Sequence, residues 1–321
     1  MSLETILPFL QPIADVILDP TVSEVMVNGN GSIFVQRNGV STAVDATLEP
    51  KYLANAVKRI ARSLGNDIGE SKALLDARLP DGSRVAAAFP PCSLHGVTLT
   101  IRKFRPHWFT MQQLVDAGAL SGALAAKLAD AVLSRKTILI AGGTDTGKTT
   151  FAKALIDFIP HQERLGVIED TAELKVDHPN VFRFEARRAQ LDSLGNVTLP
   201  AVSIRDLVKA TLRHRPDRLI IGEVRGGEAF DLLDALNTGH AGSISTVHAN
   251  SALQALSRMA TLALRVDVDI PYRAVQGEIG DLIDFVIHLE RREGCRRVSE
   301  ALELHGFDAE TARYETTPVE C

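Results

Sequence analysis

The chain of 321 residues is long enough for about two domains, and its 45% of hydrophobic and 23% of charged residues are typical of a globular protein. The formal net charge of -5 excludes an overall basic field that would attract nucleic acid or anionic lipid, although it leaves room for a local basic channel. Cys92, Cys295 and Cys321 form no CxxC or Cys/His ligand pattern, which argues against a disulfide framework or a structural zinc site.

No segment combines the length and the apolarity of a membrane span. The N-terminal segment carries Glu4, no early Lys or Arg and several prolines, so it does not resemble a signal peptide. The sequence therefore predicts a cytoplasmic protein without an integral membrane segment.

The first hundred or so residues have the pattern of an α+β domain. "LETILPFLQPIADVIL" has helical apolar spacing, and "EVMVNG" and "SIFVQRNG" alternate as two strands joined by the turn "NGNG". "PKYLANAVKRIARSLG" predicts an amphipathic helix capped by Gly65, followed by a strand pair around the turn "PDGS" and the strand "GVTLTIRKF". We place this domain at residues 1–104 and a linker around Pro106 at residues 105–112.

Residues 113–321 have a different pattern, in which short apolar strands alternate with helices. The predicted strands are "TILIAGG", "RLGVIED", "VFRFEAR", "DRLIIGEV" and "GSISTVH". This alternation indicates a mostly parallel sheet that is covered on both faces. The tail "FVIHLERREGCRRVSEALEL" predicts a strand hairpin, and "RYETTP" an edge strand. The predicted fold class is therefore α/β, preceded by the smaller α+β domain.

The segment "GGTDTGKTT" lies between the apolar strand "TILIA" and an amphipathic helix, and it matches the phosphate-binding pattern G-x-x-x-x-G-K-[ST]. Its glycines let backbone N–H groups surround phosphate oxygens, and the positive end of the helix faces the same anion. Lys148 is expected to reach the β and γ phosphates and the Thr149 hydroxyl to bind Mg²⁺, which makes ATP and Mg²⁺ the predicted cofactors. The predicted nucleotide-binding residues are Gly142, Gly143, Thr144, Asp145, Thr146, Gly147, Lys148, Thr149 and Thr150.

The middle of this loop holds Asp145, where a small residue is usual. A carboxylate near a triphosphate repels it. Either Asp145 points into solvent or it weakens nucleotide binding, and the sequence alone leaves both alternatives open.

Further polar residues follow other predicted strands. "DRLIIGEVRGG" places Glu223 at the carboxyl end of a strand, where it could polarise a water molecule or hold the magnesium shell. The plain alternative for Glu223 is a solvated acid at a strand end. "VIEDTAEL" and "NTGHAGSISTVHAN" add more candidates, although a lone histidine is as often structural as catalytic. These candidates are Glu169, Asp170, Glu173, His240 and His248.

The four motifs, in this order, resemble those of the secretion ATPase superfamily, the hexameric motors of type II and type IV secretion, of pili and of conjugation. They correspond to its Walker A ("GGTDTGKTT"), Asp box ("IEDTAEL"), Walker B ("LIIGEVRGGEAFDLLDALNTGH") and His box ("STVHAN"). "VSEVMVNGNGSIFVQRNGV" and "DARLPDGSRVAAAFPPCSLHGVTLTIRKF" resemble the sensor-like N-terminal domain of the tight-adherence and conjugation branches. The resemblance implies a RecA-like P-loop C-terminal domain.

The resemblance also implies roles for individual residues. Glu223 would activate water, Glu169 would belong to the catalytic site, and His248 would sense the γ phosphate. Arg84 and Arg102 match arginines that the N-terminal domain contributes to the nucleotide. The metal would be held by Thr149, Asp170 and Glu173.

By this resemblance the protein would be a cytoplasmic ATPase motor, peripheral at the inner membrane, in which ATP binding closes two domains within a homo-hexamer. Its partners would be inner-membrane platform or secretion-channel proteins, and direct nucleic-acid binding is not expected. The cysteine count excludes the tetracysteine zinc module of many type II secretion ATPases. The sequence does not identify the machine served, the direction of work or the ring size.

Two other functions share the phosphate-binding loop. A RecA-like nucleic-acid translocase needs a basic pore with stacking aromatic residues. Aromatic residues make up 5% of this chain, and the candidate mobile loop "RRAQLDSLGNVT" contains none. The other alternative is a nucleotide-dependent scaffold that does not hydrolyse ATP because Asp145 disables the loop.

Overall fold

The computed structural model describes residues 6–37, 39–65, 67–69, 72–79, 81–104, 108–187, 189–191 and 197–321. Contacts divide the chain into two units, Met1–His107 and Trp108–Cys321. Some sequence predictions lie wholly or partly outside the described residues: Glu4, Pro80 of the "PDGS" turn, Pro106 of the linker and the loop at residues 187–198.

The first unit is built on a six-stranded antiparallel sheet in the order β3-β2-β1-β6-β5-β4. Its strands are β1 (Val22–Val27), β2 (Ser32–Arg37), β3 (Val40–Thr47), β4 (Leu74–Arg78), β5 (Arg84–Ala88) and β6 (Thr98–Arg102). Two helices, α1 (Ala14–Leu18) and α2 (Pro50–Ser63), accompany the sheet. Leu53, Val57 and Ile60 of α2 share one apolar core with Val25 and Ile101 of the sheet. The α+β pattern of the sequence thus reflects a helix, α2, that buries one apolar face in the same core as the sheet.

The predicted N-terminal helix is wrong between residues 7 and 13. Helix α1 is short, and the residues before it form two separate turns of 3-10 helix, Leu7–Phe9 and Gln11–Ile13. Pro8 and Pro12 lie within the first positions of these turns, because a proline can begin a helical turn but has no N–H to continue one.

The second unit contains an eight-stranded sheet in the order β16-β15-β14-β7-β13-β12-β8-β9, and β10 and β11 pair separately. Its strands are β7 (Ile138–Gly142), β8 (Leu165–Glu169), β9 (Val181–Glu185), β10 (Gln190–Leu191), β11 (Val197–Leu199), β12 (Arg218–Val224), β13 (Ile244–Val247), β14 (Phe285–Arg292), β15 (Cys295–Asp308) and β16 (Arg313–Pro318). Its helices are α3 (Met111–Asp116), α4 (Gly122–Leu133), α5 (Lys148–Ile156), α6 (Ile204–Leu212), α7 (Glu228–Asn237), α8 (Ala252–Ala263) and α9 (Tyr272–Leu282). Within the described ranges, no helix is both long and apolar enough to cross a bilayer.

Strand β7 lies at the centre of this sheet. It runs parallel to β13 on one side and to β14 on the other, and only the pairs that involve β15 and β16 within this sheet are antiparallel. Ile138 and Ile140 belong to one apolar cluster, whereas Leu139 and Ala141 belong to another, so both faces of the strand are covered. This arrangement confirms the predicted α/β class and explains the wholly apolar sequence of β7.

Two helices have no counterpart in the sequence prediction. Helix α3 begins at Met111, inside the predicted linker at residues 105–112, and Thr110 and Gln113 form a capping box at its start. Helix α9 contains Gly277 and Gly280, which weaken helix propensity. A Cβ atom at Gly280 would lie 2.8 Å from the Gly306 carbonyl carbon, so close packing against β15 requires glycine there. Tertiary packing, rather than local propensity, accounts for α9.

Candidate active site

The four sequence motifs meet at one edge of the second sheet. Strands β7, β13, β12 and β8 are consecutive neighbours, and each pair is parallel. Their carboxyl ends therefore lie along the same edge, which is where open α/β sheets bind ligands. The four motifs follow these strands in sequence, so their loops lie together along this edge.

The phosphate-binding loop connects β7 to α5 and has a glycine with positive φ at each end. Gly142 has φ 154° and Gly147 has φ 95°, and α5 begins directly after Gly147. A Cβ atom at Gly142 would lie 2.5 Å from the Leu289 carbonyl oxygen of β14. Thr146 stabilises the bend by donating from its hydroxyl to the Gly143 carbonyl at 3.0 Å. The shape of the loop therefore requires these two glycines.

Lys148 is buried at the first position of α5, and its side chain turns back toward the loop. The ammonium donates to the carbonyl oxygens of Gly142 at 3.0 Å and of Gly143 at 2.6 Å. Burial lowers the pKa of Lys148, and the nearby Glu223 carboxylate opposes this shift. The loop thus holds a partly desolvated positive charge, which a phosphate group would stabilise.

Glu223, at the end of β12, lies between His248 and Arg225. Its Oε1 is 3.1 Å from His248 Nε2, and its Oε2 accepts from Arg225 at 2.6 Å. Burial, followed by the positive charge of Lys148, lowers the pKa of His248, which favours the neutral ring. A neutral ring that carries its proton on Nε2 donates to Glu223. The 3.5 Å approach of the Lys148 ammonium to the same nitrogen is then not a hydrogen bond, because both groups are donors.

Arg225 joins two of the motif loops. One guanidinium nitrogen contacts Glu223 and another donates to Asp170 at 3.0 Å. The hydrogen bond with Glu223 raises the pKa of Arg225. Glu228 fixes the backbone of this turn by accepting from the N–H groups of Arg225 at 2.6 Å and Gly226 at 2.8 Å. Sequence reasoning missed Arg225. Its position two residues after Glu223 was the sequence feature that could have indicated it.

Glu169, the last residue of β8, is buried, and both of its carboxylate oxygens accept hydrogen bonds. Its Oε1 accepts from the N–H groups of Glu173 at 2.7 Å and Leu174 at 2.8 Å, and its Oε2 accepts from Arg183 at 3.1 Å. Burial raises the pKa of Glu169 despite these donors. Both oxygens therefore serve to shape the loop that follows β8 and to anchor it to β9.

Gly222 packs against Glu169. A Cβ atom at Gly222 would lie 3.0 Å from Cγ of Glu169. This contact gives a physical reason for glycine beside Glu223, where classical Walker B motifs have an acid.

Replacing Gly222 by alanine is expected to lower the free energy of unfolding by about 1–3 kcal/mol, because the added methyl group overpacks a buried carboxylate. The matched control is Gly277→Ala on α9, where nothing lies within 4 Å of the new Cβ atom. The control is expected to raise the free energy of unfolding by about 0.5–1 kcal/mol. Urea unfolding of both variants checks this, and unchanged stability of Gly222→Ala would contradict the close packing.

The residues predicted to hold a metal ion are Thr149, the second residue of α5, and Asp170 and Glu173 in the loop after β8. Asp170 is paired with Arg225, and Glu173 donates its backbone N–H to Glu169. The described residues contain no cluster of three acidic, His or Cys side chains that could form a complete metal site. Mg²⁺ in nucleotide sites takes one or two protein ligands together with phosphates and water. The Thr149 hydroxyl makes no hydrogen bond within the described part of the chain, so it fits this kind of binding.

Arg84 and Arg102 belong to the first unit, where they are direct cross-strand partners on β5 and β6. Arg78 on β4 lies opposite Arg84, so three arginines share one level of the sheet and one face. Sequence reasoning did not single out Arg78. Glu24 of β1 is the cross-strand partner of Arg102 on its other side, so the same row also contains an acidic side chain.

The Asp145 side chain is held in ion pairs instead of pointing freely into solvent. Its carboxylate is about one-third exposed and forms ion pairs with Arg291 and Arg296 of the C-terminal hairpin, both of which sequence reasoning missed.

His240 contacts the carbonyl oxygen of Ala235 at 3.0 Å, at the end of α7. The contact that the structure describes for His240 is therefore with the backbone at the end of α7.

A cavity of about 410 Å³ opens beside Gly143 and His248. Polar side chains of α8, including Gln254 and Arg258, form part of its wall. The charge of Arg258 also contributes to the lowered pKa of His248. The phosphate-binding loop is thus accessible through this opening.

A strand–loop–helix unit with a buried lysine, a histidine directly after the neighbouring strand β13 and a glutamate near the end of β12, the next strand in the sheet, together define a P-loop ATPase. The chain belongs to the type II/IV secretion system protein family, whose family model matches residues 9–319. The protein is thus an ATPase motor of the secretion, conjugation and pilus type, as the order of the motifs predicts.

The similarity extends over both units. The chain is 32% identical over 292 residues to the conjugal transfer protein TrbB of Rhizobium radiobacter, covering 90% of this chain and 85% of that protein. It is 31% identical over 332 residues to the type IV secretion system protein VirB11 of Bartonella henselae, covering 92% of each. It also matches the crystal structure of the VirB11 ATPase from Brucella suis, with a TM-score of 0.50, 29% identity and 94% coverage of each chain.

Proposed function

We propose that this chain hydrolyses ATP at the edge formed by β7, β13 and β12, and that the energy drives a secretion or conjugation machine. The observation that carries this proposal is the convergence of Lys148, Glu223 and His248 at the phosphate-binding loop. Glu223 and His248 are 3.1 Å apart, and His248 lies 3.5 Å from the Lys148 ammonium.

In this proposal the backbone N–H groups of the loop receive the β and γ phosphates, and Lys148 exchanges its carbonyl contacts for phosphate oxygens. Glu223 accepts a proton from the attacking water. His248 orients the Glu223 carboxylate through its neutral Nε2–H, and Arg225 holds the second oxygen. The γ phosphate would lie near the cavity beside Gly143.

Mg²⁺, when bound with the nucleotide, would neutralise charge on the β and γ phosphates. Thr149, Asp170 and Glu173 would hold the ion. Glu169 acts as a positioning residue, because its oxygens order the loop that carries Asp170 and Glu173. Arg84 and Arg102 supply positive charge to the nucleotide, a role supported by the family resemblance.

The relatives named for conjugal transfer and type IV secretion support a machine of that kind for this chain. We propose a homo-hexamer at the cytoplasmic side of the inner membrane that acts on platform or channel proteins. Direct nucleic-acid binding is not part of this proposal.

The test is phosphate release from ATP by the full chain, with and without Mg²⁺, together with the mass of the assembly by light scattering. We expect turnover that depends on Mg²⁺ and a mass of about six subunits. Single-stranded DNA should leave the rate unchanged, and a many-fold stimulation would favour a nucleic-acid translocase instead. Nucleotide binding without phosphate release would favour the scaffold alternative.

Replacing His248 by alanine is expected to lower kcat by about 10–100-fold, because Glu223 loses the donor that orients it as a base. Since the pKa of His248 lies below its ordinary value of 6.5, the unmodified chain should keep its kcat from pH 8 down to pH 6.5. Below that range the ring takes up a proton, pairs with Glu223 as a cation and reduces the basicity of the carboxylate.

A kcat profile against pH checks this prediction. The control is His305→Ala, whose exposed ring contacts the Thr317 hydroxyl on the C-terminal edge of the sheet. An acid limb centred above pH 6.5 in the unmodified chain, or equal profiles for His248→Ala and the control, would contradict it.

A further inference from the structure

Two arginines of the hairpin formed by β14 and β15 hold Asp145 in the middle of the phosphate-binding loop. Arg291 donates to its Oδ2 at 3.0 Å. Arg296 donates to its Oδ1 at 2.6 Å and to its backbone carbonyl oxygen at 2.9 Å. Both the carboxylate and the main chain of Asp145 are therefore fixed by the hairpin.

The same hairpin contacts the loop at both ends. A Cβ atom at Gly142 would lie 2.5 Å from the Leu289 carbonyl oxygen, and one at Gly147 would lie 3.3 Å from Cδ of Arg296. Between these contacts, Asp145 has a left-handed backbone with φ 61°, a conformation that aspartate adopts more readily than most residues. The hairpin thus supports the loop along its whole length.

The charges in this cluster do not balance. Two guanidinium groups face one carboxylate, which leaves a net charge of +1 next to the loop. An unpaired carboxylate at this position would repel an incoming phosphate, whereas the paired one does not. The ion pairs are partly exposed, so their effect on a bound anion should weaken at high salt.

We propose that Arg291 and Arg296 are positioning residues of the nucleotide site, which cancel the charge of Asp145 and hold the loop in its phosphate-accepting shape. This inference rests on the proposed function, in which ATP phosphates bind to the loop. In this proposal the two arginines are needed because Asp145 carries a negative charge. Removing the charge of Asp145 should therefore compensate for removing the arginines.

The experiment compares Arg291→Gln/Arg296→Gln with the same double variant that also carries Asp145→Asn. The readout is the Kd for a fluorescent ADP analogue at low and at high salt. The double variant should bind about tenfold more weakly at low salt, with a smaller loss at high salt. Adding Asp145→Asn should restore the Kd to within about threefold of the unmodified chain.

Arg297→Gln is the matched control, because Arg297 lies on the same hairpin but pairs with Glu290. Its Kd should equal that of the unmodified chain. If the double variant does not fold, Arg296→Gln with and without Asp145→Asn gives the same comparison. Unchanged binding by the arginine variants, or no recovery with Asp145→Asn, would overturn the inference. Failure of the unmodified chain to bind ADP would instead count against the proposed function.

Discussion

Replacing Lys148 by alanine is expected to reduce the rate of ATP hydrolysis by about 10²–10³-fold or more, which is the typical loss when one preorganised donor is removed from a site of developing charge. Lys148 is the charged side chain that the loop itself encloses, with its ammonium 2.6 Å from the Gly143 carbonyl oxygen. Burial lowers the pKa of Lys148 and therefore disfavours its charged form, and a phosphate group beside the ammonium would offset this cost. The measurement is kcat together with the Kd for ADP, and both should worsen.

Lys153→Ala is the matched control for this variant. Lys153 is buried on the same helix, but its ammonium pairs with Asp157 one turn later rather than with the loop. The control should keep its kcat, provided that thermal unfolding shows it to be folded. Hydrolysis by Lys148→Ala at the rate of the unmodified chain would show that the proposed site is not where ATP reacts.

Replacing Glu223 by glutamine is expected to lower kcat by about 10²–10⁴-fold while ATP still binds. The amide has nearly the same size and can still accept from Arg225, so the turn after β12 should keep its shape. It cannot take a proton from water, so the chemical step should stop with ATP in place. Single-turnover hydrolysis and ATP binding, measured on the same preparation, separate these two effects.

Glu303→Gln provides the comparison, because Glu303 lies on β15 and pairs with Lys127. This control should leave both kcat and ATP binding unchanged. If Glu223→Gln raised KM and kept kcat, Glu223 would bind the nucleotide or its metal without activating water.

Much of the second unit can be predicted from local sequence rules. The wholly apolar strand β7, the glycines at positions 142 and 147 and the lysine that begins α5 each have a local physical reason. Because parallel strands share one carboxyl edge, the same rules also predict that Glu223 and His248 approach the loop. Their 3.1 Å contact agrees with that expectation.

The rest depends on contacts between residues that are distant in sequence. Asp145 meets Arg291 and Arg296 only because β14 returns to lie beside β7, and no periodic pattern encodes that pairing. The glycines of α9 argue against a helix until its packing against β15 is known. At the N-terminus the apolar spacing is misleading, because the prolines there interrupt the hydrogen-bond ladder that a helix needs.

The central place of β7 has a consequence for biosynthesis. Ile138 emerges from the ribosome well before either of its lateral neighbours, Ile244 and Phe285, so the growing chain carries a bare apolar strand with two unsatisfied edges. Both edges of β7 can be paired only after β14 has been translated. Truncated products that stop before Phe285 should therefore aggregate rather than accumulate as nucleotide-competent fragments.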